Sequence, residues 1–463
     1  MEKVKIKEKI GYGLGDAASS IFWKLFSMYL LFFYTDIFGL PAAAVGTMFL
    51  ITRIWDSFFD PVVGVISDRT ETKWGKFRPY LLWMVIPFGV MGVLTFTTPS
   101  FGASGKMIYA YVSYSVMMMV YSLINVPYAS LLGVMSSDPK TRTSLSSYRM
   151  IFAFAGSILV LMFIEPFVDM FSRINTVGSE PNLALGWQLS VAVFAVIVGV
   201  MFLCTFLWTK ERVKPIKETK NTFRDDFRDL WENRPWWILM GAGVMALIFN
   251  SVRDGAAVYY FKYYVESKEM FSIPFLDSSW TLTSIYLVLG QIANIIGILF
   301  VTPVSNRIGK KKTYFGAMAM AAIFSVCFYF IPKDGVWTMM LFQVLISICA
   351  GSIFPLLWSM YADISDFSEW KTGRRATGLV FSASSMSQKL GWTVGGALTG
   401  WLLGFYGFQA NVEQTETVQN GIRLMLSLLP AIGAALSVIL ILLYPLTENK
   451  LKDITESLAK RRG

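Results

Sequence analysis

The sequence predicts an all-α integral membrane protein of twelve transmembrane helices, and three observations predict it. Of 463 residues, 54% are hydrophobic and 16% charged. Apolar stretches long enough to cross a bilayer recur along the whole chain, and the basic residues gather in alternate connections between them. Mean hydropathy is +0.52, and 37 Phe, 24 Met and 15 Trp are more large apolar groups than a water-facing surface of this size conceals.

A helix needs roughly 20 apolar residues to cross the hydrocarbon. Twelve stretches qualify: about Ala17 to Leu40, Ala42 to Ile66, Pro79 to Thr98, Met107 to Met135, Tyr148 to Phe171, Trp187 to Trp208, Trp236 to Val265, Ser279 to Val304, Tyr314 to Ile331, Val336 to Tyr361, Thr377 to Tyr406 and Gly421 to Leu446. The first reads as a span rather than a cleaved signal, because it is long, lacks a small-residue cleavage site and is followed at once by another span. Of 41 Lys and Arg, 30 fall on the amino terminus, the even-numbered turns and the carboxyl tail, 4 on the opposite side and 7 within spans. The positive-inside rule places both termini in the cytoplasm, as in a multi-pass protein of the inner membrane. The net charge of +10 is then a topology signal whose natural partner is the lipid bilayer, not nucleic acid, because no single basic patch interleaved with aromatics exists.

The longest hydrophilic interruption divides the chain into residues 1–208, a first six-helix bundle; 209–235, a central cytoplasmic loop; 236–446, a second six-helix bundle; and 447–463, a cytoplasmic tail. The halves echo one another. Ser67-Asp68-Arg69 with Trp74-Gly75-Lys76 after the second span answers to Ser305-Asn306-Arg307 with Gly309-Lys310 after the eighth. Lys140-Thr141-Arg142 after the fourth answers to Lys371-Thr372-Gly373-Arg374 after the tenth. A duplicated unit of this kind suits a transporter with a central site.

Function classes fall away quickly. The chain has no histidine, so a Ser-His-Asp or Cys-His nucleophile and any His-ligated metal site are excluded. Cys204, Cys327 and Cys349 lie in apolar runs without a CxxC pair, so neither a disulfide framework nor a metal or redox site is expected. A membrane enzyme would need an acid/base constellation, and Asp363 and Asp366 are the candidates for it; a gate network explains them more simply. No catalytic residue and no cofactor are expected beyond a coupling ion.

Charges inside spans are costly and mark function. In the second span, a 100° step per residue places Arg53, Asp56 and Asp60 within about 60° of one another. Two carboxylates one turn apart repel unless a cation or proton sits between them, which is what a reversible Na⁺ or H⁺ site requires. The other reading is a static Arg53/Asp56 pair beside a protonated Asp60. Asp16, Ser20 and Lys24 form a stripe on the first span. The fourth offers Ser122, Asn125 and Tyr128; the fifth begins with Arg149; the seventh clusters Asn250, Arg253 and Asp254; and the eleventh carries Ser382, Ser385 and Lys389. Hydroxyls, amides, cations and the rings Tyr128, Trp358 and Trp392 suit a polyhydroxylated solute, neutral or anionic.

Tyr12-Gly13-Leu14-Gly15-Asp16, Phe33-Tyr34-Thr35-Asp36, Arg53-Ile54-Trp55-Asp56, Asp60-Pro61, Trp74-Gly75-Lys76-Phe77-Arg78-Pro79, Asn125-Val126-Pro127-Tyr128 and Ala362-Asp363-Ile364-Ser365-Asp366 together make a pattern. It resembles the glycoside/pentoside/hexuronide:cation symporters of the major facilitator superfamily, over nearly the whole chain. The resemblance implies a major facilitator fold of two pseudo-symmetric six-helix bundles and cation-coupled sugar or uronide symport by alternating access, working as a monomer. It implies a cation site at Asp56 and Asp60 with Ser122 and Asn125. It implies a substrate region at Ser20, Lys24, Asn125, Tyr128, Arg149, Asp254 and Lys389. Ser20 and Asn125 stand where members such as melibiose permease carry carboxylates, and Ala129 where one carries a tryptophan. Fewer anionic ligands favour a proton or a weaker cation site. Asp68 and Arg69, opposite Asn306 and Arg307, with Asp363 and Asp366, are the expected cytoplasmic gates. A lipid carrier is the alternative within transport.

Overall fold

The computed structural model describes residues 4–136, 139–174, 180–212, 231–265, 269–272, 279–372 and 377–462. Among them, nine helices are long and apolar enough to cross a membrane. In chain order the helices are α1 (Ile6–Ile37), α2 (Ala42–Arg69), α3 (Arg78–Trp83), α4 (Val85–Thr95), α5 (Ala103–Met135), α6 (Pro139–Ser172), α7 (Leu183–Trp208), α8 (Arg234–Tyr263), α9 (Leu282–Ile308), α10 (Lys310–Tyr329), α11 (Val336–Thr372), α12 (Thr377–Tyr406), α13 (Glu416–Leu442) and α14 (Glu448–Arg462).

Three spans read from hydropathy fall outside those nine: the eleventh is α12, whose run of Gly, Ser and Trp lowers its hydropathy, and the second and third differ for other physical reasons. The second is α2, whose Arg53, Asp56 and Asp60 keep it out of the nine by charge, not by length. The third is broken between α3 and α4, because Pro87 has no N–H to offer the carbonyl of Trp83. Between α8 and α9, strands β1 (Glu269–Ser272) and β2 (Ser279–Thr281) pair antiparallel, so the first residues of the expected eighth span are strand rather than helix.

Packing separates two units. The first comprises Met1–Lys217, Glu266–Val288 and Leu403–Gln414; the second, Glu218–Val265, Leu289–Leu402 and Thr415–Gly463. Within the first, α1 packs along α6 and α7, and α2 along α5. Small residues permit this closeness. A Cβ added at Gly15 would overlap the Tyr128 ring, and one at Gly156 would lie 2.5 Å from the Ala17 carbonyl oxygen. Within the second unit α8 packs on α13, and α10 on α11 and α13.

Helix α1 is not uniform. Two π turns, Leu25–Tyr29 and Phe33–Ile37, interrupt it, each adding a residue to a turn and rotating the helix beyond it.

Candidate functional site

The charged stripe of α2 meets α5 as the wheel requires. Asp56 and Ser122 are each 2% exposed, and the Ser122 hydroxyl donates to Asp56 Oδ1 at 2.7 Å. Asp60 lies one turn later on the same face, with Oδ1 shielded from solvent. The Arg53 guanidinium stands 4.5 Å from the Trp23 ring and 5.9 Å from the Tyr114 ring, a cation–π setting that holds it beside the acids.

Three residues along α5, Asn125 turns to α1. Its Oδ1 accepts from the Ser19 hydroxyl at 2.5 Å, and its amide donates to the Tyr121 carbonyl at 3.0 Å. Helix α5 therefore offers two polar groups, at i and i+3, to two different helices. Ser19, which the sequence did not single out, makes this contact; Ser20 and Lys24, the expected substrate residues of α1, are half-buried.

Arg149 does not merely snorkel. Its Nε donates to Asp16 Oδ2 at 3.0 Å and its Nη2 to Oδ1 at 3.4 Å, with the side chains 34% and 17% exposed. The guanidinium lies 5.4 Å from the Tyr128 ring. Tyr128 is buried: its hydroxyl donates to the Tyr12 carbonyl at 2.6 Å and its ring stacks on Tyr12 at 4.9 Å. All these residues belong to the first unit.

In the second unit, Asp254 on α8 and Lys389 on α12 are half-buried. Arg253 is buried and used in packing: Nη1 donates to Ser325 Oγ at 3.2 Å and to the Leu426 carbonyl, and Nη2 to Gln343 Oε1 at 3.0 Å. The side chains of Ser382 and Ser385 lie outside the described residues.

The connections contain two matching locks. Gly75 has φ +110° and Gly309 φ +90°, a region that disfavours a side chain. A carboxylate from just beyond the sixth helical span of each half closes on each. Glu211 accepts from the backbone N–H of Lys76 (2.9 Å), Phe77 (2.8 Å) and Arg78 (3.0 Å). Glu448 accepts from the N–H of Lys310 at 2.6 Å. Lys310 Nζ also pairs with Asp363 at 2.7 Å, which places one expected gating residue in an ion pair. Arg69, Asn306 and Arg307 are exposed, Asp366 is half-buried on α11, and the Asp68 side chain lies outside the described residues. Sequence reasoning missed Glu211, Glu448 and Ser19, and left Asp16 without its partner. The signal for the two glutamates was present: Thr209-Lys210-Glu211 and Thr447-Glu448 each end a half.

Apolar helices beside a hydrogen-bonded acidic stripe suit a multi-pass membrane transporter, and the family and relatives make it a transporter rather than an enzyme. The chain belongs to the MFS/sugar transport protein family, whose model matches residues 11–448. It is 38% identical to the inner membrane symporter YicJ of Escherichia coli (strain K12), over 100% of this chain and 97% of that one. It is 34% identical to the isoprimeverose transporter of Lactiplantibacillus pentosus, over 97% and 90%. The likeness to the glycoside/pentoside/hexuronide:cation symporters thus holds along the whole chain. A solved nucleoside transporter, NupG, shares the fold with a TM-score of 0.62 at 15% identity, over 94% of this chain and 98% of that one.

Proposed function

We propose that this protein couples the movement of H⁺ or Na⁺ to uptake of a sugar, glycoside or hexuronide across the cytoplasmic membrane by alternating access, as a monomer with both termini in the cytoplasm. The observation that carries the reading is the pair of contacts made by α5, Ser122 to Asp56 and Asn125 to Ser19. A cation bound by Asp56 and Asp60 shifts α5, and α5 carries Asn125, so occupancy of one site is felt at the other. Coupling of this kind is reciprocal: sugar tightens the cation by the factor that the cation tightens sugar. The basic connections and the names of the relatives support the same reading. Arg149, oriented by Asp16, with Ser20, Lys24 and Tyr128, forms the substrate region of the first unit; Asp254 and Lys389 are its candidates in the second. The Glu211 and Glu448 locks, with Lys310–Asp363, act as gates.

Uptake into membrane vesicles tests this. An imposed H⁺ or Na⁺ gradient drives accumulation of the sugar, and Asp60→Asn abolishes accumulation while exchange persists. Accumulation unchanged in Asp60→Asn would defeat the cation assignment.

A further inference from the structure

Glu165 on α6 belongs to none of the groups above, yet it is held from two sides. The Tyr29 hydroxyl donates to Oε1 at 3.0 Å, and the Thr281 hydroxyl donates to Oε2. Thr281 Oγ1 lies 3.5 Å from Ser284 Oγ and accepts from the Ser284 backbone N–H at 3.1 Å. Tyr29 is the last residue of the first π turn, and the extra residue in that turn sets its direction. The neighbouring Trp280 indole donates to the Met162 carbonyl at 3.0 Å, fastening β2 to α6 at the same place.

Among the described residues, no cationic side chain pairs with or hydrogen-bonds to Glu165. Helix α1 presents Tyr29 to it, and β2 and the start of α9 present Thr281 and Ser284. Helix α7, packed along α6, has no charged residue. On α6 itself, Asp169 is one turn away and is engaged by Arg173 at 2.7 Å. A half-buried carboxylate without a paired cation is costly; once it is protonated, its O–H donates to Thr281 Oγ1, the Thr281 hydrogen turns to Ser284 Oγ 3.5 Å away, and Oε1 still accepts from Tyr29.

We propose that Glu165 is a second proton-binding site, loaded while the Tyr29–Glu165–Thr281 clasp is closed and emptied when Thr281 leaves it. On opening, the Glu165 O–H bond breaks, the proton passes to water and a solvated carboxylate remains; closing takes a proton back. This site is separate from the ion held at Asp56 and Asp60, and it operates whether that ion is H⁺ or Na⁺.

Difference infrared spectroscopy of the full chain in lipid, titrated in pH without sugar, reads the carbonyl stretch of protonated carboxyls. At neutral pH a protonated-carboxyl band is expected in the unsubstituted protein, lost in Glu165→Gln and retained in Asp60→Asn. Thr281→Val and Tyr29→Phe each remove one hydrogen bond, so each shifts the band without abolishing it. A protonated-carboxyl spectrum at neutral pH that Glu165→Gln leaves unchanged overturns the proposal. Failure of the cation assignment would appear instead in the transport of Asp60→Asn.

Discussion

Ser122→Ala separates the two coupling ions by the sign of its effect. The Ser122 hydroxyl donates to buried Asp56 at 2.7 Å. A hydrogen bond to a charged acceptor contributes about 1.5–3 kcal/mol and one to a neutral acceptor about 1, so the charged carboxylate loses roughly 1 kcal/mol more than the protonated one. If the ion is a proton, the substitution makes protonation easier: half-maximal uptake moves to a proton concentration about fivefold lower, roughly 0.7 pH unit upward. If the ion is Na⁺, an oxygen ligand is lost and half-saturation moves about tenfold the other way, to higher Na⁺. Both are read from initial sugar uptake into vesicles, titrated in pH at fixed Na⁺ and in Na⁺ at fixed pH. The side chain shrinks by a single oxygen, so folding survives. Half-saturation within twofold of the unsubstituted protein in both titrations would show that the Ser122–Asp56 contact has no part in coupling.

The packing and the locks carry three more expectations. Glu211→Ala strips the acceptor from three backbone N–H groups and costs about 3–5 kcal/mol, whereas Glu448→Ala strips one and costs about 1.5–3; thermal unfolding in detergent should rank them in that order, and the reverse order contradicts it. Gly15→Ala drives a Cβ against the buried Tyr128 ring, with a cost of about 1–3 kcal/mol by the same measurement; an unchanged midpoint would mean that α1 and α5 part freely there. Asp16→Asn should weaken sugar binding about tenfold, read by tryptophan quenching, because Arg149 loses the partner that orients it; the pair is partly exposed, so little change in stability accompanies it.

The helices were legible because hydropathy and length suffice for a span. The stripe on α2 was legible too, since a 100° step fixes which residues share a face. Adjacent positions defeated that reasoning. Ser19 and Ser20 differ by one step on the wheel, and only the approach of α5 decides that Ser19 meets Asn125. Asp16 and Arg149 are 133 residues apart, and neither carries a local mark of the other. Glu165 sits in an apolar run, where its hydroxyl partners come from α1 and β2. The glutamates at the ends of the halves were readable only as a third echo of the duplication.

The composition of α2 bears on how the protein is made. Ile54, Trp55, Phe58, Val62, Val65 and Ile66 are exposed on one side, while Arg53, Asp56 and Asp60 occupy the other. For an isolated segment leaving the translocon, three such charges cost about 8–10 kcal/mol, while each Val, Ile, Leu or Phe returns only about 0.3–0.6. The segment is therefore a poor self-inserter. The groups that make its charged face tolerable, Trp23 before it and Ser122 after it, bracket it in order of synthesis. The charged face of α2 is therefore expected to settle in the bilayer only once α1 and α5 are both there to pack against it.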